Sequence, residues 1–274
     1  MIIFEIKKQN QIKVIICFFM ACFFFSCSME RKLAQKYINS NDTIHLLIIQ
    51  TKEVTLKNLK LPIDSISKKE TVVSSGNAIL DSLKKNIFLN IVNVGLVDEL
   101  KKRNFKIYTE SDTADFMKLD SGYIFNISQI EIEEFDTPDT LFVQRDTALY
   151  YKAFLLNSIK INWWIEVSQI MSNGVVDNVL FNTSTYTDEI KTDYKEYFFS
   201  DQVNLVYDIN KITMNRFYNE VYSYGMLNAA YINDYFMNKY IFDRYYKKKK
   251  PLYFHFDSSQ NHLSPAGYNR FIFM

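Results

Sequence analysis

Cysteine is scarce in this 274-residue sequence and occurs at three positions, Cys17, Cys22 and Cys27. A mature chain that starts at Cys27 therefore has no second thiol for a disulfide and no set of thiolates for a zinc site. Glycine and proline are also few, at 6 and 4 residues, and the sequence contains no glycine-rich phosphate loop and no G-x-G-x-x-G motif. We therefore expect stability to come from packing, and the sequence predicts no cofactor.

An excess of either charge is also missing. The full chain has 32 basic and 31 acidic residues, and removal of residues 1–26 takes away three lysines and Glu5, which leaves 29 and 30. A formal net charge of −1 is not the electrostatic footprint of a nucleic-acid-binding protein. The three histidines, His45, His255 and His262, show no H-E-x-x-H or paired-ligand spacing. The sequence thus predicts neither a nucleic-acid partner nor a metal site.

The first 27 residues have the order of an export signal. Lys7, Lys8 and Lys13 precede the apolar run 14–25, which ends in Ser26 and Cys27. A basic start, an apolar centre too short for a comfortable membrane span and a small residue before the cleavage point indicate a secretory signal.

This junction resembles the lipobox of bacterial lipoproteins, and Phe24 at its first position is familiar from lipoproteins of the Bacteroidota. The resemblance implies that Cys27 becomes the first mature residue and carries acyl chains that anchor the protein in a membrane. A plain cleaved signal, or an uncleaved anchor with Cys27 incidental, is the alternative. Glu30 beside Arg31 and Lys32 favours a body that faces the periplasm from the outer membrane.

We expect four segments: residues 1–26 as the signal peptide, 27–42 as a lipidated tether, 43–190 as an α+β domain, and 191–274 as a C-terminal helical region and tail packed on it. Residues 43–50 are nearly all apolar, which predicts a strand covered on both faces. Residues 52–76 have the composition of an irregular connection. From 77 to 103, apolar residues recur at spacings of three and four and predict a helix; they are Leu80, Leu83, Ile87, Ile91, Val94 and Val97.

The second half of the chain is predicted to contain long strands followed by helices. Strands are expected over 105–108 and 122–135, and the stretches 148–171 and 175–190 flank Asn173-Gly174, a signal for a tight hairpin turn. From residue 201 the apolar period lengthens, which predicts two helices with a break near Gly225. This order indicates an α+β fold with a mixed or antiparallel sheet, helices packed on one face and a C-terminal helical segment. The order and the anchor resemble auxiliary lipoproteins of the curli-secretion and Tol-associated type.

The C-terminal segment contains part of one catalytic motif. The block 261–268, with His262 and Gly267, resembles the last conserved block of the SGNH hydrolases. In that family an aspartate stands three residues before the histidine, where this chain has Ser259, and Asp257 lies two residues too far upstream. The Gly-Asp-Ser turn that supplies the nucleophile is also missing after Ile49. A histidine without nucleophile and orienting acid cannot run acyl transfer.

Two side-chain pairs are candidate sites within the predicted strands. Trp163 and Trp164 are neighbours, so one ring should enter the core and the other should face outward, where it could bind a glycan or a partner; burial of both rings is the alternative. Glu131 and Glu133 fall on one strand face, as a carboxylate pair requires, although a solvated sheet face explains them equally well.

A third pattern concerns modification. Asp followed by Ser or Thr and then an apolar residue or Thr occurs six times, where average residue usage predicts about one. The tripeptide resembles the acceptor of the Bacteroidota O-glycosylation system, and Asp-Ser and Asp-Thr are also ordinary turn and cap pairs. We predict that hydroxyls in the polar links between elements are modified more readily than Thr43, in a strand, and Ser82, in a helix. The better acceptors are Ser65, Thr113, Thr140 and Thr147.

The sequence as a whole predicts a cell-envelope lipoprotein with a non-enzymatic structural, assembly or binding role. Its expected partners are a membrane, through the lipid anchor, and another envelope protein. Two alternatives stay open: an SGNH-like ester hydrolase at His262, and a glycan-binding module at Trp163 or Trp164.

Overall fold

The computed structural model describes residues 28–40, 42–60, 71–73, 78–145, 147–170, 176–199, 202–245 and 252–266. Cys27, Ser65 and the predicted Asn173-Gly174 turn lie outside these ranges. The chain divides into two units, described separately below. The sheet unit comprises Asp42–Tyr231, and the terminal unit comprises Met1–Asn41 and Ile232–Met274.

The elements are numbered along the chain. The described helices are α1 (Met29–Ile38), α2 (Ile79–Ser82), α3 (Lys85–Lys102), α4 (Thr113–Phe116) and α5 (Met214–Tyr245). The described strands are β1 (Ile44–Ile49), β2 (Val54–Asn58), β3 (Thr71–Val73), β4 (Phe105–Tyr108), β5 (Tyr123–Arg145), β6 (Ala148–Gln169), β7 (Val176–Thr187), β8 (Glu189–Phe199), β9 (Gln202–Asn210), β10 (Phe254–Asp257) and β11 (His262–Pro265).

The sheet unit is built on the long antiparallel hairpin of β5 and β6. The described main sheet has the order β3-β6-β5-β1-β4, with β2 also paired to β5 and β7 also paired to β6. β1 is parallel to both of its neighbours, β4 and β5. Leu46, Leu47 and Ile48 of β1 are buried, so the prediction of a strand covered on both faces is confirmed.

α3 and the part of α5 up to Tyr231 lie on one face of this sheet. Phe88 of α3 stacks on Phe217 of α5 with ring centroids 6.3 Å apart, and Tyr224 of α5 lies 5.8 Å from the ring of Trp163 in β6. The single turn α4 lies near the opposite face of β1, where its Phe116 clusters with Leu47. Because the sheet mixes parallel and antiparallel pairs and carries helices, the predicted α+β class is confirmed.

β5 is longer than its sequence pattern predicts. The strand continues through Pro138, which pairs with Leu155 of β6. The pairing of β2 ends opposite Glu134, so over the next residues β6 is the partner of β5 within the described part of the chain. A proline, which has no backbone N–H, is tolerated at such an edge because no second strand needs a hydrogen-bond donor at that position. A register shift between Ile127 and Gln129 explains the imperfect alternation in this strand.

Three other predictions were wrong in part. Residues 52–76 are not wholly irregular, since they include β2 and β3, which gain their hydrogen bonds from β5 and β6.

The predicted helix over 77–103 is interrupted at Leu83 and Lys84. Its buried face differs from the expected one: Ile87 and Val94 are exposed, and the buried residues include Phe88, Val92, Leu96 and Leu100. Two sets of apolar residues run along this helix, the predicted set and the set that begins with Phe88. Packing within the sheet unit buries the set that begins with Phe88.

The region after residue 190 also differs from its prediction. Residues 189–210 form the antiparallel hairpin β8–β9, because Leu205, Tyr207 and Ile209 fit a period of two as well as a longer one. α5 then continues through Gly225 without a break. None of the described helices has both the length and the apolar character that crossing a bilayer requires.

The terminal unit contains α1, the last part of α5 and the hairpin β10–β11. Leu33 and Ala34 of α1 are buried in one cluster with Met237, Phe254 and Leu263. The helix is capped by Ser28, whose hydroxyl accepts a hydrogen bond from the N–H of Arg31 at 3.2 Å. The segment predicted as a tether is therefore helical over Met29–Ile38 and contributes to a packed core.

Candidate functional site

The first β-α-β segment forms a crevice at the carboxyl ends of two parallel strands. Between β1 and its parallel neighbour β4 the chain forms β2, β3, α2 and α3, and it then passes through α4 to β5 on the other side of β1. β1 is therefore the point at which the strand order reverses. In α/β sheets, ligands bind in the crevice outside the carboxyl ends of the strands at such a point.

The crevice has a volume of about 590 Å³, which is within the range of about 300–1,000 Å³ that is typical of small-molecule sites. Its apolar lining comes from Ile48, Leu89, Val97 and Ile107. Its polar lining consists of Gln50, Thr51, Lys52, Asn86, Asn90, Asn93, Thr109, Glu110 and Ser111. A mixed lining of this kind can bury a small ligand and fix its orientation through a few polar contacts.

Three amides on α3 form one side of the crevice. Asn86, Asn90 and Asn93 are spaced by four and three residues, so they lie on one face of the helix. Phe88 and Leu96 lie on the adjoining face of the helix and are buried. These asparagines were not among the predicted site residues, although their spacing repeats that of the apolar residues beside them.

The loop after β4 is held by a capping box. The N–H of Thr109 donates to Asp112 Oδ2 at 2.9 Å, and the Thr109 hydroxyl donates to the same oxygen at 2.7 Å. These two hydrogen bonds, the backbone one first, lower the pKa of Asp112. The loop is therefore fixed at the crevice by local hydrogen bonds.

A second, much smaller cavity adjoins the crevice. Gln50, Thr51, Leu89 and Asn93 line both spaces, and the smaller one extends to Trp163 of β6. Its volume is about 10 Å³, and a cavity needs about 10–15 Å³ on this measure to hold one water molecule. We refer to it as the inner cavity.

Two buried polar atoms belong to the residues of the inner cavity. Asn93 Oδ1 and Trp163 Nε1 are both inaccessible to solvent, and neither has a hydrogen-bond partner among the described residues. Trp163 as a whole is 0% exposed. Since buried polar groups are nearly always paired, such atoms indicate a site for a water molecule or for a group of a ligand.

The two tryptophans point to opposite faces of the sheet, as predicted. Trp163 faces the helices, while Trp164 is half-buried on the other face and its ring lies 5.0 Å from that of Phe181 in β7. The alternative that both rings are buried is therefore wrong.

The predicted Glu131 and Glu133 pair also lies on one face, but each carboxylate has its own cation. Lys57 Nζ is 2.5 Å from Glu131, and Lys160 Nζ is 3.1 Å from Glu133. Asn162 donates a further hydrogen bond to Glu131 at 3.3 Å. The hydrogen bond from Lys57, which is the largest contribution, lowers the pKa of Glu131. This arrangement stabilises the charged form of Glu131, which favours a structural ion pair over acid–base chemistry. Glu131 is itself buried, so the solvated-face interpretation does not hold for it.

The structure does not assemble the predicted hydrolase residues. His262 is exposed in β11, opposite Asp257 of β10. The Asp257 carboxylate accepts hydrogen bonds from the hydroxyl and N–H of Ser259 at 2.7 and 2.9 Å, and the hydroxyl contact is the main cause of its lowered pKa. Asp257 therefore holds the hairpin turn.

The other two histidines each lie within hydrogen-bond distance of a polar side chain. His45 Nδ1 lies 3.1 Å from the Tyr108 hydroxyl, and His255 Nδ1 lies 2.6 Å from the buried carboxylate of Asp234. Among the residues that the structure describes, no group of three or more His, Cys, Asp or Glu side chains is placed to hold a metal ion.

The predicted glycosylation sites differ in local structure. Thr147 is exposed in the turn between β5 and β6. Thr140 is exposed but lies inside β5, paired with Ala153, and Thr113 begins α4, where its hydroxyl donates to the carbonyl of Glu110 at 2.7 Å. Thr140 is thus not in a link between elements. Thr43 and Ser82, the expected poorer acceptors, are exposed as well.

Comparison with known proteins adds no family to these observations. A scan against protein-family models finds no match to the chain. A search of curated proteins likewise finds no significant match.

Proposed function

We propose that this chain is a lipid-anchored protein of the bacterial cell envelope whose body binds a small ligand without converting it. The lipidated residue is Cys27, and the body faces the periplasm from the outer membrane, where another envelope protein is its expected partner. The observation that supports a binding role is the crevice of about 590 Å³ at the strand-order reversal. Its position and mixed lining are those of a ligand site.

The side chains of the crevice favour binding over catalysis. Lys52 and Glu110 are the ionisable groups among its described lining residues. Nucleophilic catalysis requires a nucleophile activated by an adjacent base, and the Thr109 hydroxyl is instead engaged by Asp112. Amides and hydroxyls, which form most of the polar lining, recognise a ligand by donating and accepting hydrogen bonds.

A fluorophore placed in the crevice tests this proposal. The chain has no cysteine after Cys27, whose thiol is blocked by acylation under this proposal, so a new cysteine can be labelled selectively. Asn90→Cys carries the label at the crevice, and Val94→Cys carries it on the same helix at a position 42% exposed and outside the crevice. Both are made in the full chain and purified in detergent.

The probes are five panels of small molecules: monosaccharides, disaccharides, amino acids, dipeptides and nucleosides. We expect at least one panel to change the emission of the label at position 90 saturably and to leave the label at position 94 unchanged. A response of equal size at both positions, or no saturable response at position 90 to any panel, would contradict the proposed function.

A further inference from the structure

Two residues that line the inner cavity each carry a buried side-chain polar atom without a partner among the described residues, one an acceptor and one a donor. Asn93 Oδ1 can accept a hydrogen bond, and Trp163 Nε1 can only donate one. Both atoms are buried and unpartnered among the described residues, and both residues line the same cavity of about 10 Å³. Because Asn93 lines the open crevice as well as the inner cavity, a ligand in the crevice lies next to this residue.

Only some chemical groups satisfy both atoms at once. A carboxylate accepts hydrogen bonds but cannot donate to Asn93 Oδ1, and an ammonium donates but cannot accept from Trp163 Nε1. A hydroxyl does both with a single oxygen, and so does a water molecule. The inner cavity, at about 10 Å³, is at the lower limit of the volume that one such oxygen needs.

We propose that the ligand of the crevice is a neutral, polyhydroxylated molecule of the saccharide or polyol class, and that one of its hydroxyls occupies the inner cavity between Asn93 and Trp163. This inference rests on the proposed binding function. In the free protein a water molecule takes the place of that hydroxyl, and the ligand displaces it while reproducing its hydrogen bonds.

The rest of the crevice agrees with this class. Gln50, Asn86 and Asn90 each offer both donors and acceptors, which hydroxyl groups need. The two ionisable residues of the lining, Lys52 and Glu110, have opposite charges. The crevice therefore has no net formal charge that would select an anion or a cation.

The two tryptophans of the chain provide separate reporters for the test. The full chain is produced with 5-fluorotryptophan and purified in detergent, so that ¹⁹F NMR shows one signal for Trp163 and one for Trp164. Trp164→Phe assigns the signals. The probes are cellobiose, N-acetylglucosamine and sorbitol, with gluconate and glucosamine as charged counterparts.

We expect at least one neutral probe to shift the Trp163 signal saturably while the Trp164 signal stays in place, and the charged counterparts to have a weaker effect. Asn93→Leu removes the acceptor and should weaken this binding about tenfold. Val94→Ala, on the exposed side of the same helix, is the matched control and should bind as the wild type does. The wild-type titration is decisive by itself if Asn93→Leu fails to fold.

The remaining outcomes separate this inference from the proposed function. If neutral probes shift Trp164 and leave Trp163 unchanged, the glycan site is on the opposite face and the inference is wrong. If the label at position 90 responds to amino acids, dipeptides or nucleosides while Trp163 responds to no polyol, the crevice binds a ligand of another class. If neither reporter responds to any probe, both proposals fail.

Discussion

Gly95 of α3 and Gly225 of α5 face each other where the two helices pack together. A methyl group at position 225 would lie 2.8 Å from the backbone nitrogen of Leu96 and 3.2 Å from the carbonyl carbon of Gly95. A methyl group at position 95 would lie 3.2 Å from the carbonyl carbon of Tyr222 and closer still to its oxygen. Each glycine thus allows the backbone of the other helix to approach.

This relationship predicts the sign of a substitution. In an exposed helix, alanine is more favourable than glycine by about 1 kcal/mol. Here Gly225→Ala should instead lower the free energy of unfolding by about 1–3 kcal/mol, because the added methyl overpacks the helix contact. Urea denaturation measures the change. Ser223→Ala, at an exposed position of the same helix, should stay within about 0.5 kcal/mol of the wild type, and an equal loss in both variants would refute the packing explanation.

Two neighbouring glutamates on β5 should differ strongly in their contribution to stability. The fully buried Glu134 carboxylate accepts the N–H groups of Ile79 and Leu80 at 3.1 and 3.0 Å and pairs with Lys60 at 3.0 Å. Glu134→Ala should cost about 3–5 kcal/mol, because it leaves a partly buried cation and two N–H groups without their acceptor.

Glu133→Ala is the matched control, since this carboxylate lies on the other face of the strand and pairs with a lysine side chain that is 36% exposed. It should cost about 0–1 kcal/mol. Chemical denaturation of both variants gives the comparison, and similar losses would show that the α2 contacts of Glu134 contribute little.

Glu131 should make stability depend on acid pH. Its hydrogen bond from Lys57 lowers its pKa below the ordinary value of 4.5. A carboxyl group whose pKa is lower in the folded state stabilises the protein at pH values above the pKa that the group has in the unfolded state. This contribution is lost as the pH falls through the folded-state pKa. The stability difference between the wild type and Glu131→Gln should therefore be full at pH 7 and shrink below about pH 4.5. Urea titrations at several pH values measure it, and a difference independent of pH would exclude this ion pair as its source.

The anchor prediction concerns Cys27, which lies outside the described residues. Cys27→Ala should abolish metabolic labelling with fatty acids and release the protein from the membrane fraction, because no other thiol is available at the signal junction. Cys22→Ala, within the signal, should keep both labelling and membrane association. Unchanged labelling of Cys27→Ala would end the lipoprotein proposal.

Glycosylation should be strongest at Thr147 when the protein is made in a bacterium of the Bacteroidota. The transferase needs an accessible hydroxyl, and Thr147 is exposed in a turn, whereas Thr140 is held in the β5–β6 ladder. Intact-mass measurement should show added glycan mass that decreases in Thr147→Ala more than in Thr140→Ala. The mass of the lipidated polypeptide alone would show that these tripeptides are only turns and caps.

Local sequence patterns determined much of the architecture. The apolar run of β1, the helical spacing of α3 and the two long stretches that became β6 and β7 each carry enough signal in consecutive residues to predict the element and the α+β class. The alternation of strand side chains also predicted that Trp163 and Trp164 face opposite ways.

Only the tertiary structure decided which residues meet. β2 and β3 exist because β5 and β6 supply their hydrogen bonds, and Gly225 stays helical because it packs against α3. The candidate site combines residues 48–52, 86–97 and 107–111, three segments that the sheet order brings together. No single segment contains the crevice, and Asn93 and Trp163 line one cavity because of packing at long range, which spacing along the sequence does not encode.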